Sequence, residues 1–105
     1  MKWYHYLVGV AAGFCFGNAI SHLVVGVIGQ PFPSPFGDPP TIGLSSPLVN
    51  VLWGLANVVL GYVLMRVSKL SVSHSLSMIA LFVGFAGVTI YSSVHFGAVL
   101  GNPSL

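Results

Sequence analysis

A chain of 105 residues with 55% hydrophobic and only 4% charged side chains is not an ordinary water-soluble domain, in which about a quarter of residues are charged. Its formal charge of +2 rests on Lys2, Arg66 and Lys69 against a single acid, Asp38, too sparse a set for a nucleic-acid footprint. Most of the surface must face lipid, so the sequence predicts an integral membrane protein.

Residues 6–29 carry no charge and number about 24, enough to cross a hydrocarbon core of about 30 Å as a helix. Lys2 ahead of the run and Gly17-Asn18-Ala19 within it imitate a signal peptide and its cleavage site, but the apolar run continues to Ile28. A retained span is therefore expected. Trp3, Tyr4 and Tyr6 suit an aromatic anchor at a membrane interface. The single cysteine, Cys15, forms no intrachain disulfide or redox pair. Gly9, Gly13 and Gly17, continued by Ser21, recur every four residues and make one small-residue ridge. Such ridges let helices approach closely in lipid, here against another helix of this chain or another copy.

Residues 30–46 form the expected outer loop. With Pro47, this stretch holds six of the seven prolines and the only acid. Pro31, Pro33 and Pro35 alternate with Phe32, Ser34 and Phe36, and each proline pushes its predecessor toward extended geometry. A stiff polyproline-like segment is expected, followed by turns at Gly37-Asp38 and Gly43. Phe32, Phe36 and Asp38 are the candidate contact surface, either resting on helix ends or docking a partner. A connection of about 17 residues is long for a structureless loop.

The second helix is expected over 47–66, with Ser46 capping its free N–H groups and Pro47 at the first helical position. Asn50 and Asn57 are seven apart, with Trp53 and Gly54 between them on the same side. Gly54 and Gly61 repeat the small-residue signal weakly. The inner loop, 67–74, is serine-rich and basic and is expected to meet anionic headgroups. The third helix is expected over 75–100, where Ala80, Gly84 and Gly87 are small, Thr89, Ser92 and His95 follow in three-residue steps, and Tyr91 precedes His95 by one turn. Lipid offers no partners to backbone groups, so each span must be helical. The fold class is thus all-α: one integral membrane domain, a bundle of three transmembrane helices with a proline-rich outer loop.

With three crossings, all three cations fall on one side and Asp38 on the other. The positive-inside rule makes the cation side cytoplasmic, with the amino terminus inside, the carboxyl terminus outside and a bacterial-type inner membrane as the setting. At a rise of about 1.5 Å per residue, His22 lies about 24 Å above Tyr6 and His95 about 28 Å above Leu76. Asn18, His22, Asn50, Ser92 and His95 therefore share the outer leaflet and, with Asn57, are the candidate ligand-binding residues. The competing reading makes them interhelical glue, each contact contributing roughly 0.6–1 kcal/mol.

Two histidines at matching depth on separate helices also fit a bis-histidine b-type haem. No carboxylate or well-placed thiolate completes a metal set. Catalysis finds little material, since Asp38 lies in the loop and neither a Ser–His–acid set nor a Gly-x-Ser-x-Gly turn is present. The proline-glutamine pair that three-helix bacterial sugar carriers hold within a span has no counterpart, because Gln30-Pro31 is reversed and follows the first run. The expectation is a small polytopic inner-membrane protein acting as an oligomerising or accessory subunit, in contact with the bilayer and with itself or other membrane-protein subunits. The alternatives are an oligomeric channel or facilitative carrier for a small solute, and a haem- or quinone-binding redox subunit.

Overall fold

The structure is a computed structural model that describes residues 2–101. Helix α1 covers Trp3–Val27, α2 covers Pro47–Val67 and α3 covers Ser75–Val99. Each is long and apolar enough to cross a membrane, with mean hydropathy of 1.7, 1.9 and 1.7. Helix α1 starts before the apolar run because its first turn is closed locally: the His5 N–H donates to the Lys2 carbonyl at 3.0 Å, and the Lys2 N–H donates to His5 Nδ1 at 2.9 Å. Helix α2 begins as the sequence dictates, with Ser46 Oγ accepting the Val49 N–H at 3.2 Å and Pro47 in the first turn.

The helices end by one device. After α1, Gly29 takes a left-handed backbone (φ 79°), and the Gln30 and Gly29 N–H groups donate back to Val25 and Gly26 at 3.1 and 3.0 Å. This Schellman pair satisfies carbonyls that the helix end would leave free. After α3, Gly101 (φ 73°) donates to Ala98 in the same way. After α2 the position is held by Lys69 (φ 59°), with Leu70 donating to Met65 at 3.4 Å and Lys69 to Arg66 at 3.2 Å.

Helix α1 lies between the other two. Both α2 and α3 pack along it, and they scarcely touch each other. The three helices expected from the sequence form a layer of 42 × 29 × 22 Å. The glycine ridge explains half of it. A β-carbon on Gly13 would run into the Leu81 carbonyl, and one on Gly84 into the Val10 carbonyl, so the backbones of α1 and α3 touch there. Gly17 likewise faces Val88 and Phe85 of α3, while on the other flank Gly54 receives Leu23 and Gly61 receives Phe16. The ridge is occupied by the chain's own third helix. Gly87, by contrast, faces open space.

The loop between α1 and α2 departs from the expected polyproline rod. Phe32–Pro33 (β1) and Leu44–Ser45 (β2) pair antiparallel, Phe32 opposite Ser45 and Pro33 opposite Leu44. Proline has no N–H to donate, so Phe32–Ser45 is the hydrogen-bonded pair and Pro33 sits opposite Leu44 where no ladder bond is due. A side-chain bond, Ser34 Oγ to Ser45 Oγ at 2.5 Å, adds to the pairing. The Gly37 and Thr41 N–H groups both donate to the Ser34 carbonyl, at 3.0 and 2.9 Å, and the Gly43 N–H to the Pro39 carbonyl at 2.7 Å. The turns expected at Gly37-Asp38 and Gly43 meet, since a β-carbon on Gly37 would strike the Gly43 carbonyl. Phe32 is buried, whereas Phe36 and Asp38 are exposed.

Candidate functional site: a cleft beneath the α1–α2 loop

Asn50, in the first turns of α2, holds the loop down. Its amide nitrogen lies 2.9 Å from the Phe32 carbonyl, 3.2 Å from that of Ser45 and 3.1 Å from that of Ser46. With its N–H groups facing those carbonyls, its oxygen faces α1, where His22 Nδ1 stands 2.7 Å away. This network assigns the proton of the neutral imidazole to Nδ1, which donates to Asn50 Oδ1, and leaves Nε2 as the lone-pair nitrogen. One turn below His22, the Asn18 amide donates to Asn57 Oδ1 at 3.1 Å, and the Asn57 amide to the Trp53 carbonyl at 2.9 Å. Two polar ties thus join α1 to α2.

Helix α3 holds the loop from the other flank. His95 Nε2 donates to the Thr41 carbonyl at 3.0 Å while its ring stacks on Tyr91, with centroids 5.7 Å apart and planes 8° apart. Thr41 itself has a left-handed backbone (φ 64°). Phe96 packs against Phe32, His95 and His22 at 4.6, 4.9 and 6.2 Å. Phe36 rests edge-on against Trp53 at 5.4 Å.

Between these supports lies a cleft of about 110 Å³ whose polar lining comes from Asn18, His22, Ser34, Thr41, Trp53, Tyr91, Ser92 and His95. Among the described residues, no charged side chain lines it. The Trp53 indole N–H is buried without a hydrogen-bond partner among the described residues. Of the residues that sequence reasoning brought forward, Asn18, His22, Ser92 and His95 line this cleft, and Asn50 and Asn57 do not. Those two asparagines serve the ties instead. Ser34, Thr41 and Phe96 were missed. The signal for Ser34 was a small polar residue between two prolines, where Ser34 Oγ also accepts the Phe36 N–H at 3.1 Å.

The histidine pair does not fit a bis-histidine haem. His22 keeps Nε2 open, but the Nε2 of His95 is taken by the Thr41 carbonyl, the Phe96 ring packs against both imidazoles, and the cleft is far smaller than the about 300–1,000 Å³ of sites for larger ligands. Cys15 is buried, and no group of three His, Cys, Asp or Glu side chains stands together among the described residues. Compared with protein-family models, with curated proteins and with solved structures, the chain matches none of them.

Proposed function

We propose that this protein is an accessory subunit of a bacterial-type inner membrane, amino terminus inside and carboxyl terminus outside, that holds a small neutral solute in the cleft beneath its outer, proline-rich loop. One observation carries the reading: among the described residues the cleft is lined by hydrogen-bonding groups without any charge, and one of its walls, Trp53, has a buried N–H left unused. An unpaired buried donor costs about 1–3 kcal/mol, so a molecule whose oxygen reached that N–H, by a small shift of the indole, would gain by entering. His22 Nε2, the lone-pair nitrogen of a cleft-lining residue, offers the complementary acceptor. A charged ligand would find no counter-charge, and the volume limits the occupant to a few heavy atoms.

Partner subunits, or further copies of this chain, would meet the outward faces of α2 and α3, since the glycine ridge of α1 is filled by α3. A conducting path through one copy lacks material, because α1 below Asn18 buries only Gly9, Ala12, Gly13, Cys15 and Gly17. The test is cysteine protection. Ser92, half-buried and lining the cleft, is replaced by Cys, and its reaction with a small methanethiosulfonate is timed in the presence of urea, acetamide or glycerol. At least one of the three is expected to slow the reaction, and Trp53→Phe to weaken that protection about fivefold, the loss of one hydrogen bond. Protection by none of them would sink the reading.

A further inference from the structure

The molecule's opposite end carries a second feature that the cleft does not use. Where α1 and α3 are followed by glycine in the left-handed backbone, α2 is followed by Lys69. A β-carbon is disfavoured in that conformation, which is why glycine prevails at this place. Strain of this kind in a non-glycine residue points to a use for its side chain.

The next residue fixes where that side chain goes. Leu70 seats its Cδ2 atom 3.0 Å from the point where a β-carbon on Gly9 would stand, so the missing side chain of Gly9 is the notch that docks the α2–α3 loop on α1. Docking there brings Lys69 to Lys2, Tyr4 and His5, and the four residues line a groove of about 520 Å³. His5 Nδ1 accepts the Lys2 N–H, so its Nε2 carries the proton and is free to donate. The ammonium groups of Lys2 and Lys69 have no carboxylate near them among the described residues, since the only acid, Asp38, lies in the loop beyond the far end of α1. The third cation is engaged elsewhere: Arg66 donates to Tyr62 Oη at 3.0 Å and lies 5.9 Å from the centre of its ring. Exposed aromatic and aliphatic side chains (Trp3, Leu7, Val67) stand at the same helix ends.

We propose that Lys2 and Lys69, with Tyr4 and His5, form a binding site for the phosphate of an anionic lipid headgroup in the leaflet next to the amino terminus. Phosphate oxygens accept from the two ammoniums and from His5 Nε2, and the acyl chains run along the apolar faces below. The site is independent of the cleft reading and holds for either orientation of the chain.

The experiment uses the full chain in detergent, with bound phosphatidylglycerol and phosphatidylcholine counted by native mass spectrometry. Wild-type protein is expected to hold one phosphatidylglycerol about 25-fold more tightly than phosphatidylcholine, about fivefold for each lysine. Lys69→Gly should lower that preference about fivefold while melting no lower than wild type, because glycine suits the backbone there. Lys69→Gln, which keeps the β-carbon, should lower it equally. Arg66→Gln removes the same charge from the same side and should leave the preference unchanged. Equal losses from Arg66→Gln and Lys69→Gln would mean a diffuse field and overturn the site, as would a wild-type protein without preference. Displacement of the lipid by inorganic phosphate, beyond that by chloride at equal ionic strength, would overturn the lipid assignment in favour of free phosphate.

Discussion

His22 Nδ1 lies 2.7 Å from Asn50 Oδ1, with the two residues only 2% and 0% exposed, and this contact couples the central helix α1 to the start of α2 and the loop that Asn50 holds. Asn50 alone reaches the three loop carbonyls on its other side. Removing its side chain frees the imidazole N–H and takes a second donor from the Phe32 and Ser45 carbonyls, whereas the Ser46 carbonyl keeps the residue-50 backbone N–H at 3.1 Å. Replacing His22 by another donor need free none.

Asn50→Leu is therefore expected to destabilise the protein by about 2–4 kcal/mol, since each buried polar group left unpaired costs about 1–3 kcal/mol. His22→Gln and His95→Gln each keep a side-chain donor and should cost less than about 1 kcal/mol, the usual worth of one interhelical hydrogen bond. Unfolding by titration with a denaturing detergent measures all three. If Asn50→Leu proved as stable as wild type, the contact would carry no energy worth the name.

Gly13 and Gly84 offer a test of the α1–α3 contact, since the backbones touch at both. Gly13→Leu or Gly84→Leu forces the helices apart and should cost about 3 kcal/mol, at the upper end for overpacking. Val24→Leu, on a face that is 55% exposed, should fall within about 0.5 kcal/mol. A Gly13→Leu protein that unfolds normally but no longer self-associates would mean that another copy, and not α3, fills the ridge.

Orientation can be read by labelling. Ile42 is 52% exposed at the loop surface, whereas Ser34 is 1% exposed and bonded to Ser45, so the reporter belongs at position 42. In intact cells Ile42→Cys should react with a membrane-impermeant thiol reagent and Ser71→Cys should not. Cys15 is buried, which keeps the background low. The reverse pattern would overturn the positive-inside assignment.

The helices were legible because their signals are local. An uncharged run, a Ser46-Pro47 start and a glycine at a helix end each act within a few residues, and the observed ends fall within two positions of those read from the chain except at the start of α1, which begins three residues earlier. The four-residue spacing of Gly9, Gly13 and Gly17 announced close packing, but a ridge does not name its neighbour. The depth of Asn18, His22, Ser92 and His95 brought four cleft residues together, yet nothing in the spacing told Asn50 from Asn57 or paired either with α1. The loop was misread for a related reason. Proline geometry is local, whereas the pairing of Phe32 with Ser45 spans a turn whose closure depends on Gly37 meeting Gly43.

The position of α1 between two helices that scarcely meet also bears on biogenesis. α1 precedes both neighbours in the chain, so it enters the bilayer first and its flanks are in place when each later segment leaves the ribosome. The second segment docks without waiting for the third, and the third needs nothing from the second except a tether. Had the central helix been made last, two hairpin arms would have to stay apart in lipid, their glycine and asparagine faces uncovered, until it arrived between them.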